Sequence, residues 1–304
     1  MQNRGMRQGF YTVLKAGAKT FIRVPENTEI VPLQASGTAP AFFIIDSFPY
    51  FIDVVELLGP EQPVMSLIAH EEMVMAGQYT IAEEAARHVR TILKYQPAGP
   101  YMLGGCSASG LVAYEAAQQL SALGREVGLL VLFDIPNPYY MREYSAVRMS
   151  LNSYREDLHR LRVGEIPGWV AMKFQGLINR KVNWLQHILL GADGPKELLT
   201  PLEVRIQLAR KYRPAPYSGK VLLFKRYREL LGRYLDPQFG WGEVVRGDLD
   251  ICPVDAVDHL EIFKTESDRA TVARKLRQRF DETIQLPDAG ADRNPSHPMQ
   301  GRTS

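Results

Sequence analysis

Short runs of consecutive apolar residues alternate along this chain with longer stretches in which apolar residues recur every three or four positions. The first pattern suits strands buried on both faces and the second suits helices with one buried face, so the alternation predicts βα units around a mainly parallel sheet. Strands are predicted over 41–45, 64–69, 101–105 and 127–133, with helices over 51–58, 80–95 and 108–123 between them. In the second helix Ile81, Ala85, Val89 and Ile92 fall about one turn apart. Its acids Glu83 and Glu84 precede its bases Arg87, Arg90 and Lys94, the order that complements a helix dipole. From about 136 to 213 the pattern becomes several helices without a clear strand, an expected insertion carrying Trp169, Phe174, Trp184 and Leu185. Strands over 220–224 and 249–254 and a helix over 267–284 then resume the βα order.

Composition adds limits to this picture. Apolar residues at 45% and charged residues at 23% are globular proportions, enough for a sizeable core. The organisation expected is one α/β domain over 29–285, preceded by a basic arm or linker over 1–28 and followed by a Pro- and Gly-rich disordered tail over 286–304. A net charge of +2 gives no reason to expect nucleic acid as partner. With Cys106 and Cys252 as the two cysteines, neither a disulfide framework nor a four-cysteine zinc site is available, and a reducing, cytoplasmic setting is expected. No apolar run reaches the ~18–20 residues of a membrane span, and the basic N-terminus lacks the apolar centre of a secretory signal.

The candidate chemistry centres on Leu103-Gly104-Gly105-Cys106-Ser107-Ala108-Ser109-Gly110, where a predicted strand turns into a predicted helix. A serine with small residues two positions to either side is what a nucleophile elbow requires, because the sharp turn brings strand and helix backbones close together. The bland reading is a glycine-rich turn with an incidental serine. A phosphate cradle is disfavoured, since neither Gly-x-Gly-x-x-Gly nor Walker spacing is present. Serine needs a base, and a group to orient that base. His70 and His88 precede the serine, His159 and His187 lie in the insertion and His297 lies in the tail, which leaves His259, just beyond the last predicted strand. Asp134 ends the strand after the serine's and is the preferred acid; as an alternative it is a turn or helix-capping aspartate beside Pro136. Backbone N–H groups for an oxyanion are expected from Ala108 and from the loop after the first strand, with Phe48 preferred over Ser47. Asp46 is awkward in that loop, because a carboxylate beside a developing oxyanion raises the barrier.

The run Pro100 through Glu115 resembles the elbow of the type I thioesterase domains that terminate nonribosomal peptide and polyketide assembly lines, and Ile30-Val31-Pro32-Leu33-Gln34, Gly240-Trp241 and Asp258-His259-Leu260 are similar too. The likeness covers roughly 29–286. It implies an α/β-hydrolase fold with a helical lid between the sixth and seventh strands. It implies transfer of an acyl or peptidyl group from a carrier protein's phosphopantetheine to Ser107, then to water or an internal nucleophile, with no cofactor or metal of the domain's own. No carrier-domain serine motif precedes this domain, so a separate carrier protein or synthase module is the expected partner. Two departures stand out: the family's His-Pro-x-Gly-Gly run appears as Asp46-Ser47-Phe48-Pro49-Tyr50, and Cys106 replaces the aromatic often found before the serine. Taking Cys106 as nucleophile would shift the elbow by one residue. Between 141 and 190 eight bases face four acids, which suits an acidic carrier as well as it suits an ordinary solvated surface. The rival functions are an esterase or acyltransferase acting on oxygen esters, and a catalytically weakened acyl-binding homologue.

Overall fold

Strands that read as continuous apolar runs should lie inside a sheet covered on both faces, and they do. The computed structural model describes residues 9–25, 27–46, 51–69, 80–138, 167, 170, 201–226, 236–256 and 261–284. Seven strands, β3 (Ile30–Gln34), β4 (Phe42–Ile45), β5 (Val64–Leu67), β6 (Tyr101–Cys106), β7 (Val127–Phe133), β8 (Val221–Arg226) and β9 (Leu249–Val254), form one sheet in the order β3-β5-β4-β6-β7-β8-β9. Every pairing is parallel except β3 with β5. Alternate side chains of each central strand enter opposite halves of the core. Phe43, Leu103, Leu130 and Leu132 pack with α2 (Ile81–Tyr95) and α3 (Ala108–Ala122). Phe42, Met102, Leu129 and Phe133 pack with α1 (Phe51–Leu58) and α5 (Glu266–Ile284). With helices on both faces of a mostly parallel sheet, this is the expected α/β-hydrolase architecture.

The second predicted helix is set by a reciprocal cap. The Glu83 N–H donates to Thr80 Oγ1 at 3.2 Å and the Thr80 N–H to Glu83 Oε2 at 2.8 Å. Two backbone donors that α2 would otherwise leave open are thereby satisfied.

The structure departs from the sequence reading at two places. Within the segment read as an arm or linker, β1 (Gly9–Lys15) and β2 (Ala18–Val24) pair as an antiparallel hairpin. Its two-residue turn, Ala16 and Gly17, has φ of 49° and 78°, the left-handed geometry a tight hairpin needs. Val13 and Val24 are buried against the α1 half of the core, and Lys19 forms an ion pair with Asp53 of α1. Residues 30–34, singled out only for their likeness, form the antiparallel edge strand β3. The insertion follows the fifth, in chain order, of the seven strands of this sheet. Most of the insertion, and the tail over 286–304, lie outside the described residues; within it α4 (Pro201–Lys211) is helical as expected. Among the described residues no helix is long and apolar enough to cross a membrane.

Candidate active site

Three adjacent central strands each end in a residue with left-handed backbone. Asp46 after β4 has φ 52°, Ser107 after β6 has φ 54° and Asp134 after β7 has φ 47°. None is glycine, so each stores strain, roughly 1–3 kcal/mol, that the surrounding structure must hold. The ladders continue into them: the Asp46 N–H donates to Leu67 O (2.8 Å), Ser107 to Phe133 O (3.2 Å) and Asp134 to Phe224 O (2.8 Å). A row of three polar side chains thus follows the C-terminal ends of neighbouring parallel strands, where open α/β sheets place their ligands.

Ser107 sits at the N-terminus of α3 with φ 54° and ψ −134°, and its side chain makes no capping bond to the helix. An ordinary N-cap serine is extended and spends its hydroxyl on the first turn. Here the backbone conformation withholds it. The turn closes only because its neighbours are small: a Cβ on Gly105 would stand 2.4 Å from Ser109 O, and one on Gly110 would stand 2.8 Å from Ile135 Cγ2. Ala108 follows as the first helical residue, so its N–H is one of the unpaired donors of a helix start, beside the serine and at the positive end of the dipole. Cys106, by contrast, is 2% exposed. Burial first, and then the Asp134 and Asp46 carboxylates, push its thiol well above the ordinary range, so a thiolate nucleophile is disfavoured at that position.

Asp134 is buried in the loop that leaves β7. Its Oδ2 accepts a 2.6 Å bond from Arg226 Nε and its Oδ1 accepts from the Arg226 N–H at 3.3 Å. The loop is fixed from behind: Trp241 Nε1 donates to Ile135 O at 2.7 Å, and Asn137 Nδ2 to Gly240 O at 3.0 Å. Asp236, another carboxylate in the region, serves its own turn by accepting from the N–H groups of Gln238 (2.9 Å) and Gly240 (2.6 Å). The Lys225 Nζ donates to the Asp236 and Pro237 carbonyls at 2.9 and 3.2 Å and lies 4.1 Å above the Phe239 ring.

His259 and Phe48 lie outside the described residues, so the site is followed to their borders. The Asp255 N–H, just after β9, donates to Asp268 Oδ1 at 3.2 Å, and Thr265 Oγ1 donates to Asp268 Oδ2 at 2.5 Å. Asp255 and Thr265, described residues on either side of 257–260, are thus both tied to Asp268 of α5, and β9 ends at the same sheet edge as β6. Asp46, the awkward acid of the other loop, forms an ion pair with Arg205 of α4. Sequence reasoning missed both Arg205 and Arg226. Arg226 ends β8, and a base there is a natural counter-ion for an acid at the end of the adjacent strand β7.

The profile of the thioesterase domain matches residues 63–277. The chain belongs to this family. Membership puts the thioesterase domain among hydrolases. Malpibaldin synthetase of Mortierella alpina is 29% identical over 255 residues, which is 80% of this chain and 4% of that protein. A non-canonical nonribosomal peptide synthetase, CymA of Salinispora arenicola, is 27% identical over 78% of this chain and 3% of its own length. The non-reducing polyketide synthase ustP of Ustilaginoidea virens is 35% identical over 127 residues, covering 40% of this chain and 6% of that one. The chain thus spans only a small fraction of these curated relatives. Among solved structures, the NocB thioesterase domain in covalent complex with a fluorophosphonate nocardicin G analog superposes with a TM-score of 0.57 at 23% identity, over 83% of this chain and 99% of that one. At that identity the likeness shows the fold.

Proposed function

We propose that this thioesterase domain releases an acyl or peptidyl chain from the phosphopantetheine of a carrier protein through an acyl-Ser107 intermediate. The observation that carries the reading is the Ser107 elbow: a serine with φ 54° at a helix start, its hydroxyl withheld from capping, next to a buried aspartate on the neighbouring strand. Membership in the family and the names of the synthetases it resembles support the substrate class.

In this mechanism His259 takes the Ser107 hydroxyl proton as Oγ attacks the thioester carbon. The carbonyl π electrons move onto oxygen, which accepts the Ala108 N–H and a second N–H assigned to Phe48. Collapse re-forms the carbonyl and breaks the C–S bond, and the departing sulfur takes the proton from His259. A thiol with a pKa near 8.5 leaves readily, so this step asks little of the acid. Water, or a nucleophile within the chain, then attacks the acyl-serine with His259 again accepting a proton. Asp134 orients the imidazole and balances its positive charge. Arg205 supports this reading by compensating the Asp46 charge that would otherwise oppose an oxyanion. A fluorophosphonate probe should label the wild-type protein and fail to label Ser107→Ala. Labelling that survives the substitution, or a wild type that resists the probe, would refute the assignment. Faster turnover of an oxygen ester than of the matched thioester would move the activity to the esterase class.

A further inference from the structure

A small, partly open hollow of about 10 Å³, room for one water-sized group, lies beside the Ser107 helix, walled by Ile81 and Glu84 of α2, Ala108, Ser109 and Val112 of α3, and Arg205 of α4. That is far below the ~300–1,000 Å³ of whole-ligand pockets, so its scale is that of a subsite for one small head group such as an ammonium. Glu84 is 5% exposed, yet among the described residues its carboxylate makes no hydrogen bond. The nearest cationic candidate is His88 Nε2, one turn along α2 at 3.9 Å. That nitrogen is itself buried without a hydrogen-bond partner. A largely buried carboxylate with no protein donor among the described residues faces the hollow, and although the first turn of α2 favours negative charge there, the helix dipole supplies no hydrogen bond. Arg205, the one cation among the wall residues, is engaged with Asp46. The hollow therefore has a carboxylate in need of a donor, immediately beside the residues that follow Ser107.

We propose that Glu84 is a recognition group for the acyl chain. It receives an ammonium or other N–H donor carried by the acyl group, so the favoured substrates are amine-bearing acyl thioesters rather than plain hydrocarbon ones. The chain's amine fills the hollow, replaces the missing hydrogen bonds of the carboxylate and lays the rest of the acyl group toward Ser107. Ile81 and Val112 offer an apolar wall to the methylenes that precede the amine. The proposal rests on Ser107 as nucleophile, because the hollow matters to catalysis only through its place beside the elbow.

The test compares N-acetylcysteamine thioesters of 3-aminopropanoic and 6-aminohexanoic acid with those of butanoic and heptanoic acid, in which a methyl replaces the ammonium. At least one amine probe should exceed its alkyl match in kcat/KM by about tenfold or more, the scale of a hydrogen bond to a charged group. In Glu84→Gln that ratio should fall to near one, and Glu84→Asp, which keeps the charge, should retain part of it. A wild type without amine preference, or a preference unchanged in Glu84→Gln, overturns the proposal. If nothing is turned over, binding of the matching amide analogues to Ser107→Ala decides. Amine-selective binding lost on adding Glu84→Gln upholds the Glu84 site while the Ser107 reading fails. Equal binding of amine and alkyl analogues removes the site whatever Ser107 does.

Discussion

Two aspartates stand on either side of the strand that leads into Ser107 and share a local design. Each is the first residue beyond its strand, each holds φ near 50°, and each faces an arginine. They differ in where the arginine comes from. Asp134 is 1% exposed in its side chain, and Arg226 reaches it from the next strand of the sheet, in register with β7 through the Phe133–Phe224 pair. Asp46 is 32% exposed, and Arg205 reaches it from α4, near the end of the insertion and 159 residues away. The first pair is part of the sheet and is present whenever the sheet is folded. The second holds only while α4 lies over the sheet edge. Position after a strand does not by itself give an acid a catalytic role; burial and the origin of its counter-ion are what set Asp134, proposed above as the orienting acid, apart from Asp46.

The largest test of that contrast is to neutralise each aspartate in turn. Asp134→Asn keeps the shape but removes the charge proposed to balance an imidazolium, and should lower kcat/KM on a thioester by about 10³–10⁴-fold. Asp46→Asn should change it by less than about threefold, since its charge is already compensated by Arg205. The same steady-state assay reads both. A crippled Asp46→Asn beside an active Asp134→Asn would exchange their roles.

What could be read from sequence divides along the same line between local and distant interactions. The β4, β6 and β7 runs were legible because strands buried on both faces need nothing but apolar residues, and the Ser107 elbow because its small neighbours lie within three positions. The hairpin escaped notice because its turn is Ala16-Gly17, not Asn-Gly, and its lysines and arginines resemble a solvated arm. Pro32 hid β3, since proline argues against a central strand; at the sheet edge, where β3 lies, a missing N–H is tolerated. The arginine partners left no trace at all. Pairing across 92 or 159 residues has no periodicity, and a basic residue at the end of a strand looks the same whether it meets solvent or a buried acid.

A smaller effect, and a finer one, is expected from Arg226→Gln. Losing the guanidinium removes a charge-assisted bond to a buried carboxylate, which should destabilise the domain by about 2–3 kcal/mol in a denaturant titration. The catalytic signature has a definite sign. If His259 meets Asp134 as proposed, a cation beside that carboxylate disfavours the protonated histidine, so its removal favours the imidazolium. The acid limb of the kcat/KM profile should therefore move to higher pH, with the rate at its plateau reduced about tenfold. Lost stability with an unmoved acid limb would make Arg226 a structural residue only.

The smallest effect probes the other pair and is best read as a cycle. Arg205→Gln leaves the Asp46 carboxylate uncompensated near the proposed oxyanion position, which should reduce kcat by about tenfold with less effect on KM. Adding Asp46→Asn removes the offending charge and should restore most of that loss, so the double variant should outperform Arg205→Gln alone. Non-additivity of this sign is the mark of electrostatic compensation. If Arg205 acted only by pinning α4, removing Asp46 could not rescue it, and the two substitutions would be no better together than the worse one alone. Rescue would also explain how the chain does without the family's His-Pro-x-Gly-Gly loop: an acid stands in that loop because an arginine near the end of the insertion neutralises it.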